Sequence, residues 1–411
     1  MFKKYADEMM EFVKKIEADG PRLPGTDEEK AACKKIQGEI LDRTGLSSKT
    51  ENFMFAPVAG IGAIYRLGWA CLVALFVYYI GGLYGTILAG AGYIGIMTFV
   101  GMQIIRYTSK WDWLFKHEKA DNIITELPPV DGEAKYTVFL TAHYDSSWCW
   151  KLSLKNPVTA IPKTAYGVLS AIAMIGVCAV RACNEWGVFG YGTAYTAIRI
   201  VTMILPLLFI PGFIFVTQYT SMDKTLASPG AMDNLSGIGC NMMLMKYFKE
   251  HPEDMPKGMR LVDVGFAAEE ASLKGSLAFL DAHRNDGTFD NAYVINVDSL
   301  ADPDHFEAII GDFLQGTKFD KHLADLVIES MKDCGIEKPK KMYNPVGGCD
   351  STPFCNAGIR TITVAAQNPT TTYYYHTCRD TSDRIDVSTF EKGLEVVYTL
   401  IKKIAAEEEA K

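Results

Sequence analysis

"YTVFLTAHYD", residues Tyr136 to Asp145, is an almost unbroken apolar run that turns polar only at its end. Continuous rather than alternating apolarity marks a strand buried on both faces, as in mainly parallel sheets. Three further stretches have the same build: "RLVDVGFAAEE" (Arg260–Glu270), "NAYVINVDS" (Asn291–Ser299) and "RTITVAAQ" (Arg360–Gln367). Helical patterns such as "GIGCNMMLMKYFKEH" and "GSLAFLDAHRND" lie between them. Strands alternating with helices predict a three-layer α/β/α domain with a mainly parallel, mixed central sheet. In such sheets, ligands bind beyond the carboxyl ends of the strands.

Upstream, residues 3 to 44 read as two soluble helices around the loop "DGPRLPGTDEEKAA", with Thr26 as N-cap before Glu28 and Glu29. "SKTENFMF" (Ser48–Phe55) reads as a strand. The character then changes. Between Arg66 and Arg106 there is no Asp, Glu, Lys or Arg. A bilayer span needs about 20 mostly apolar residues, so this interval holds two. Gly81, Gly82 and Gly85 suit the reversal between them. Arg66 stands at one outer end, and Arg106, Lys110, Lys116 and Lys119 at the other. Trp111 and Trp113 suit the membrane interface.

A second apolar pair follows the opening strand. "TAYGVLSAIAMIGVCAV", between Lys163 and Arg181, is short for a span. "IVTMILPLLFIPGFIFVTQYT" from Ile200 has the length, with Pro206 and Pro211 tolerated as membrane helices allow. The competing reading of both pairs is very apolar core helices or a hydrophobic oligomer interface. The expected division is 1–56 (helices and first strand), 57–107 (transmembrane hairpin), 108–162 (domain continued), 163–220 (second hairpin) and 221–411 (domain continued).

Composition narrows the class. The 411 residues allow one large domain or two ordinary ones. With 41 Lys+Arg against 49 Asp+Glu, nothing favours a nucleic-acid partner. Ten cysteines without a CxxC pair, including Cys71 and Cys178 inside apolar runs, fit a reducing compartment. The N-terminal "MFKKYADEMMEFVKKIEADG" has no apolar h-region, so no cleaved secretory signal is expected and the N-terminus is expected in the cytoplasm.

Each strand end carries acid or imidazole. His143 and Asp145 are two apart and point to one side of a strand, where the carboxylate can orient the imidazole. Such an HxD pair is common. "SPGAMDNLSGIG" places Asp233 at a Gly-flanked turn before a helix, where taken by itself it reads first as a helix cap, with Asn234 and Ser236 able to help. In "FAAEEASLKGS", Glu269 and Glu270 would repel each other unless a cation or proton separates their roles. Zinc sites use one carboxylate as ligand and another as general base, although acidic residues also favour a solvated helix N-terminus. "INVDSLAD" adds Asp298 and "TTTYYYHTCRDTSDRID" adds His376. Two His and three carboxylates suit Zn²⁺ or Mn²⁺, and a shared carboxylate can bridge two ions.

The ordered series "AHYDS", "PGAMDNLSG", "AAEEASLKGS", "INVDS" and "YHTCRDTSD" resembles the co-catalytic zinc aminopeptidases of metallopeptidase family 28. "GPRLPGTDEEKAA" and "DNIITELPP" also look like that family; the two apolar pairs do not and fall as insertions. The resemblance implies two Zn²⁺ ions, with Mn²⁺ or Co²⁺ as alternatives, and a peptide substrate. It implies that Asp233 bridges the ions, with His143 and Asp298 completing one site and Glu270 and His376 the other. Glu269 would be the general base for the bridging water, and Asp145 would support His143. Tyr375 matches a tyrosine that stabilises the oxyanion in some members, with Tyr373 and Tyr374 as neighbouring alternatives. "CDSTPF" resembles a segment near the substrate pocket, implying that Asp350 and Phe354 line it. Cys378 departs from a proline common after the "HT" in relatives, which bears on loop rigidity.

A glutaminyl cyclase-like zinc acyltransferase, which typically works with one zinc, is the alternative on the same fold. A membrane receptor or transport-associated protein with a dead peptidase domain is the alternative from another class. The complete ligand set argues against both, and the spans lack the intramembrane charges of a transport path. His143 precedes the second apolar pair and Asp233 follows it, so the chain must cross the membrane an even number of times between them. The expectation is an integral membrane protein in contact with the bilayer, its catalytic domain cytoplasmic by the positive-inside rule, although Arg181 and Arg199 count against that side. Association of copies through the apolar helices is allowed.

Overall fold

The structure, a computed structural model, describes residues 1–368 and 373–411. The chain divides into two compact units: residues 1–57, 116–148 and 224–411, and residues 58–115 with 149–223.

The first unit is built on one mixed sheet. Its strands are β1 (Ser48–Phe55), β2 (Glu118–Leu127), β3 (Tyr136–His143), β4 (Met259–Phe266), β5 (Ala292–Leu300), β6 (Phe306–Asp312), β7 (Lys340–Asn344) and β8 (Arg360–Ala366). Their spatial order is β1-β2-β4-β3-β5-β8-β6-β7. The central four, β4, β3, β5 and β8, are mutually parallel, so their carboxyl ends lie along one edge. The outer pairs β1/β2, β2/β4 and β8/β6 are antiparallel.

Both faces of this sheet are covered, which is why its strands read as continuous apolar runs. Val138 and Leu140 pack into one core cluster, with Met9, Phe12, Ile238 and Met243 from the helices Lys3–Glu17 and Ser236–Glu250. Phe139, one residue out of phase, packs on the other face with Val262, Val264 and Phe279 of the helix Lys274–His283. Thr26 caps the helix Asp27–Thr44, its hydroxyl accepting from the Glu29 N–H, as read from the sequence.

A few buried strand residues break the apolar rule, among them Glu307, Asp312 and Asp263. Asp263 in β4 is 4% exposed, and burial pushes its carboxyl up to about 7. The folded state therefore holds this proton more tightly than the unfolded chain does. Its stability is complete below about pH 4 and falls as pH rises towards 7, by ~2–4 kcal/mol. Asp263→Asn is expected to raise the unfolding temperature at pH 8 and to leave it nearly unchanged near pH 4. Thermal unfolding of both proteins at the two pH values checks this.

The second unit holds four helices long and apolar enough to cross a membrane: Ile61–Ile80, Gly82–Ile105, Pro157–Glu185 and Thr193–Thr217. It is wider than the two apolar pairs in the sequence. Residues 108–115 belong to it because Trp111 and Phe115 pack on Phe99, and Gln103 bonds Asp112. The third helix starts at Pro157 instead of after Lys163, since Asn156 caps it and Pro157 occupies its first turn. That gives it 29 residues, ample for a span.

Close approach and tyrosine hydroxyls hold these helices together. A Cβ on Gly167 would lie 2.8 Å from the Gly212 carbonyl oxygen, so the third and fourth helices touch backbone to backbone. The fourth helix breaks into a tighter turn at Leu205–Phe209, because Pro206 has no N–H for the Thr202 carbonyl. Tyr78 donates its hydroxyl to that carbonyl at 2.6 Å, and Tyr79 donates to Met203 O at 2.8 Å. Arg181, buried in the bundle, donates to the Tyr78 carbonyl at the end of the first helix and lies over the Tyr78 ring.

Candidate metal centre

The carboxyl ends of the parallel strands bring five predicted residues together. His143 ends β3, Asp298 lies near the end of β5, and Glu270 follows β4. Asp233 and His376 come from the turns after the second unit and after β8. His143 Nε2 is 3.1 Å from Asp233 Oδ1. His376 Nε2 is 2.9 Å from Asp233 Oδ2 and 3.1 Å from Glu270 Oε1. Candidate ligand atoms of His143, Asp233 and Asp298 lie within 4.8 Å of one another, as do those of Asp233, Glu270 and His376. Asp233 is common to both triples, one oxygen turned to each histidine.

Local structure explains why Asp233 is free for this. Its neighbour Asn234 takes the capping role, Oδ1 accepting the Gly237 N–H at 2.9 Å. Asp380 accepts the backbone N–H groups of Met232 and Asp233 at 2.9 and 3.2 Å, leaving the Asp233 side chain to the site. Asp145, fully buried, does more than face His143 Nδ1 at 3.4 Å. It accepts the backbone N–H groups of Glu269 and Glu270 at 3.1 and 3.0 Å, so one carboxylate sets both glutamates and the histidine. Glu29, also buried, accepts from Ala268 N–H at 3.1 Å and Gly25 N–H at 2.7 Å, tying the N-terminal loop to the same turn. His376 sits at φ +53, a left-handed conformation that costs energy outside glycine and recurs at functional sites.

The electrostatics call for a cation. Burial, reinforced by Asp233 and Glu270 against His143, pushes Asp298 up to about 6. Burial likewise raises Glu270, and raises Glu269 well above the carboxylate range with help from Glu270, Asp350 and Asp298. Burial opposes ionisation of Asp233, yet the two histidines hold it below that range. Burial would lower His376, but Glu270 and Asp233 raise it to about 10. Carboxylates this dense, with imidazole nitrogens between them, match the N/O donor preference of zinc. Three protein ligands per triple leave coordination positions open, as catalytic zinc sites do.

Tyr375 stacks on His376, ring centroids 3.8 Å apart. Its phenol is raised well above its usual range by burial and by Asp233, Glu270, Asp298 and Glu269. The two neighbouring tyrosines are engaged elsewhere: Tyr374 donates to Asp302 at 2.9 Å, and Tyr373 accepts from Arg384. Asp350 is buried, pushed up to about 7 by burial, and feels His143, Asp298 and Asp145. Phe354, expected at the substrate pocket, lies instead in the core, its ring 6.1 Å from Phe266 and 5.6 Å from Phe289. It is one turn beyond Asp350 on the short helix Ser351–Asn356, whose apolar side faces the sheet. Sequence reading missed Arg22, Glu29 and Asp380 as site residues, although the first two lie within the quoted loop "GPRLPGTDEEKAA".

Residues 219–401 match the model of peptidase family M28. The match covers less than half of the chain. The match begins after the fourth apolar helix, so it includes Asp233, Glu269, Glu270, Asp298 and His376, while His143 and Asp145 lie upstream of it. No curated protein sequence matches the chain. In fold, the chain is similar to BSAP, a zinc aminopeptidase from Bacillus subtilis (14% identity, TM-score 0.56, covering 97% of this chain and 95% of that one). It is also similar to a Zn-dependent exopeptidase from Parabacteroides distasonis (16%, 0.54, 96% and 97%). A glutaminyl cyclase from Bacteroides thetaiotaomicron is similar too (16%, 0.53, 96% and 97%). At these identities the likeness is one of fold.

Proposed function

We propose that the chain is a membrane-embedded, two-zinc aminopeptidase that removes N-terminal residues from peptides. The observation that carries this reading is Asp233, shared by two ligand triples with one oxygen towards each histidine. His143, Asp233 and Asp298 would hold one ion, and Asp233, Glu270 and His376 the other; Mn²⁺ or Co²⁺ suits the same donors. Bound zinc polarises a scissile carbonyl and lowers the pKa of water.

The residues do the rest. Glu269 stands outside both triples and takes a proton from the attacking water as its oxygen adds to the carbonyl carbon. It passes that proton to the amine nitrogen as the C–N bond breaks. The Tyr375 phenol, kept protonated by the acids around it, donates to the developing oxyanion. Asp145 holds the Glu269 and Glu270 backbones against His143. Glu269 and Asp350 are carboxylates beyond those of the triples, a surplus that suits a substrate bearing a free α-ammonium.

Metal analysis together with a panel of aminoacyl and N-acylated substrates tests the reading. Two zinc ions per chain and hydrolysis confined to free N-termini are expected. Cyclisation of N-terminal glutamine without hydrolysis would instead favour the cyclase reading that the fold likeness also allows. The second triple, with His143 and Asp298, is the feature that favours hydrolysis.

The four apolar helices expose Trp69, Phe76, Ile80, Leu88 and Leu208, each 59–67% accessible, a density of apolar surface that lipid would cover. Each pair of spans leaves and returns on one side, so strands before, between and after them can share one sheet. With Arg66, Arg106, Lys110, Lys116 and Lys119 at the domain-side ends, that side is the cytoplasm. The partly exposed Cys334, Cys355 and Cys378 are expected to escape an impermeant thiol reagent in intact cells and to react after permeabilisation. Labelling of these cysteines from outside would reverse the orientation.

A further inference from the structure

Arg22 is 1% exposed, and its guanidinium donates in three directions. Nε reaches the Tyr144 carbonyl at 2.6 Å, Nη1 the Pro229 carbonyl at 2.6 Å and Nη2 the Gly230 carbonyl at 3.0 Å. Its backbone is zipped to Ser146: the Arg22 N–H donates to Ser146 Oγ at 2.8 Å, and the Ser146 N–H to the Arg22 carbonyl at 3.0 Å. Tyr144 adjoins His143, and Pro229 and Gly230 lead into Asp233. One planar fork therefore joins the loop of His143, which belongs to one triple only, to the loop of Asp233, which both triples share. Gly230, at φ +64, is packed tightly here: a Cβ there would lie 2.7 Å from Nη2, 2.7 Å from the Asp233 carbonyl oxygen and 2.9 Å from Ser146 Cβ. In the other triple, the Glu270 backbone hangs from Asp145, and among the described residues Arg22 bonds none beside Glu270 or His376; Asp380 holds the Asp233 backbone that both triples share.

We propose that Arg22 is a positioning residue that sets the spacing of His143 and Asp233, and so governs occupancy of the His143–Asp233–Asp298 position more than of its twin. The inference rests on the two-ion reading above. A lysine cannot replace Arg22, because an ammonium is a point donor and cannot serve three carbonyls in one plane. Residues that orient ligands, when changed, typically weaken metal affinity by 10–100-fold.

The test uses the full-length protein, zinc-loaded and dialysed against graded chelator, with zinc counted per chain and unfolding temperature measured alongside. Wild type is expected to hold two ions. Arg22→Lys is expected to keep one as tightly and to bind the other about 10–100-fold more weakly. Its kcat for an aminoacyl substrate should fall with KM little changed. Ser146→Ala, which keeps Arg22 but removes the hydroxyl that accepts its backbone N–H, should show a smaller loss of the same lopsided kind. In cobalt-loaded protein, the visible spectrum should lose one component before the other. Two ions bound as in wild type, or both weakened in parallel, overturns the proposal. If Arg22→Lys does not fold, Ser146→Ala decides by the same criteria. Wild type holding fewer than two ions would count against the two-ion reading itself.

Discussion

Glu269→Gln is expected to lower kcat by about 10³-fold or more while both zinc ions stay in place. Glutamine matches glutamate in shape and keeps the backbone N–H that Asp145 accepts, so the turn after β4 should hold. Neither triple includes Glu269, so ligand count is untouched. What disappears is the oxygen that receives the proton. Positioned general bases contribute typically 10²–10⁴-fold, and a buried amide cannot take over the task. Glu270 cannot substitute, since its Oε1 lies 3.1 Å from His376 within a triple. Zinc analysis and steady-state kinetics on the same preparation check this. A variant with undiminished kcat would refute the assigned base.

Asp233→Asn should have the larger structural consequence, the loss of both ions and of all measurable hydrolysis. Each triple loses a member, because Asp233 alone belongs to both. An amide offers one oxygen where the carboxylate offers two, and it carries no charge against the two histidines now 3.1 and 2.9 Å away. By contrast, Glu270→Ala removes a member of one triple only. The expected zinc content is about two in wild type, about one in Glu270→Ala and near zero in Asp233→Asn. Counting zinc per chain after dialysis against a weak chelator distinguishes the three. An Asp233→Asn protein that keeps two ions would end the bridging role.

Much of this was legible in the residues. Continuous apolar strands ending in polar groups implied a sheet covered on both faces, and the central parallel strands lie as that pattern requires. Charge-free intervals implied four long apolar helices, and four are present among the described residues. Helix caps also announced themselves, because a cap is a local matter of residues three apart. Where the reading stayed open, the deciding contacts were remote. Taken by itself, Asp233 read first as a helix cap; Asn234 took that role, and His143 and His376 face the carboxylate. Tyr375 was matched with Tyr373 and Tyr374 as neighbouring alternatives, and Asp302 and Arg384 engage those two.

The amino-acid sequence by itself determined the layered α/β architecture, the apolar helices and the residue types of the candidate metal-binding set. These depend on periodicity, charge exclusion and residue type, which are written along the chain. Only the tertiary structure decided that Asp233 faces both histidines, that Phe354 is core, and that Arg22, Glu29 and Asp380 build the frame. Their partners are backbone carbonyl and N–H groups more than a hundred residues away, and every residue type carries such groups. A side chain that bonds to remote backbone leaves no complementary residue for the sequence to display.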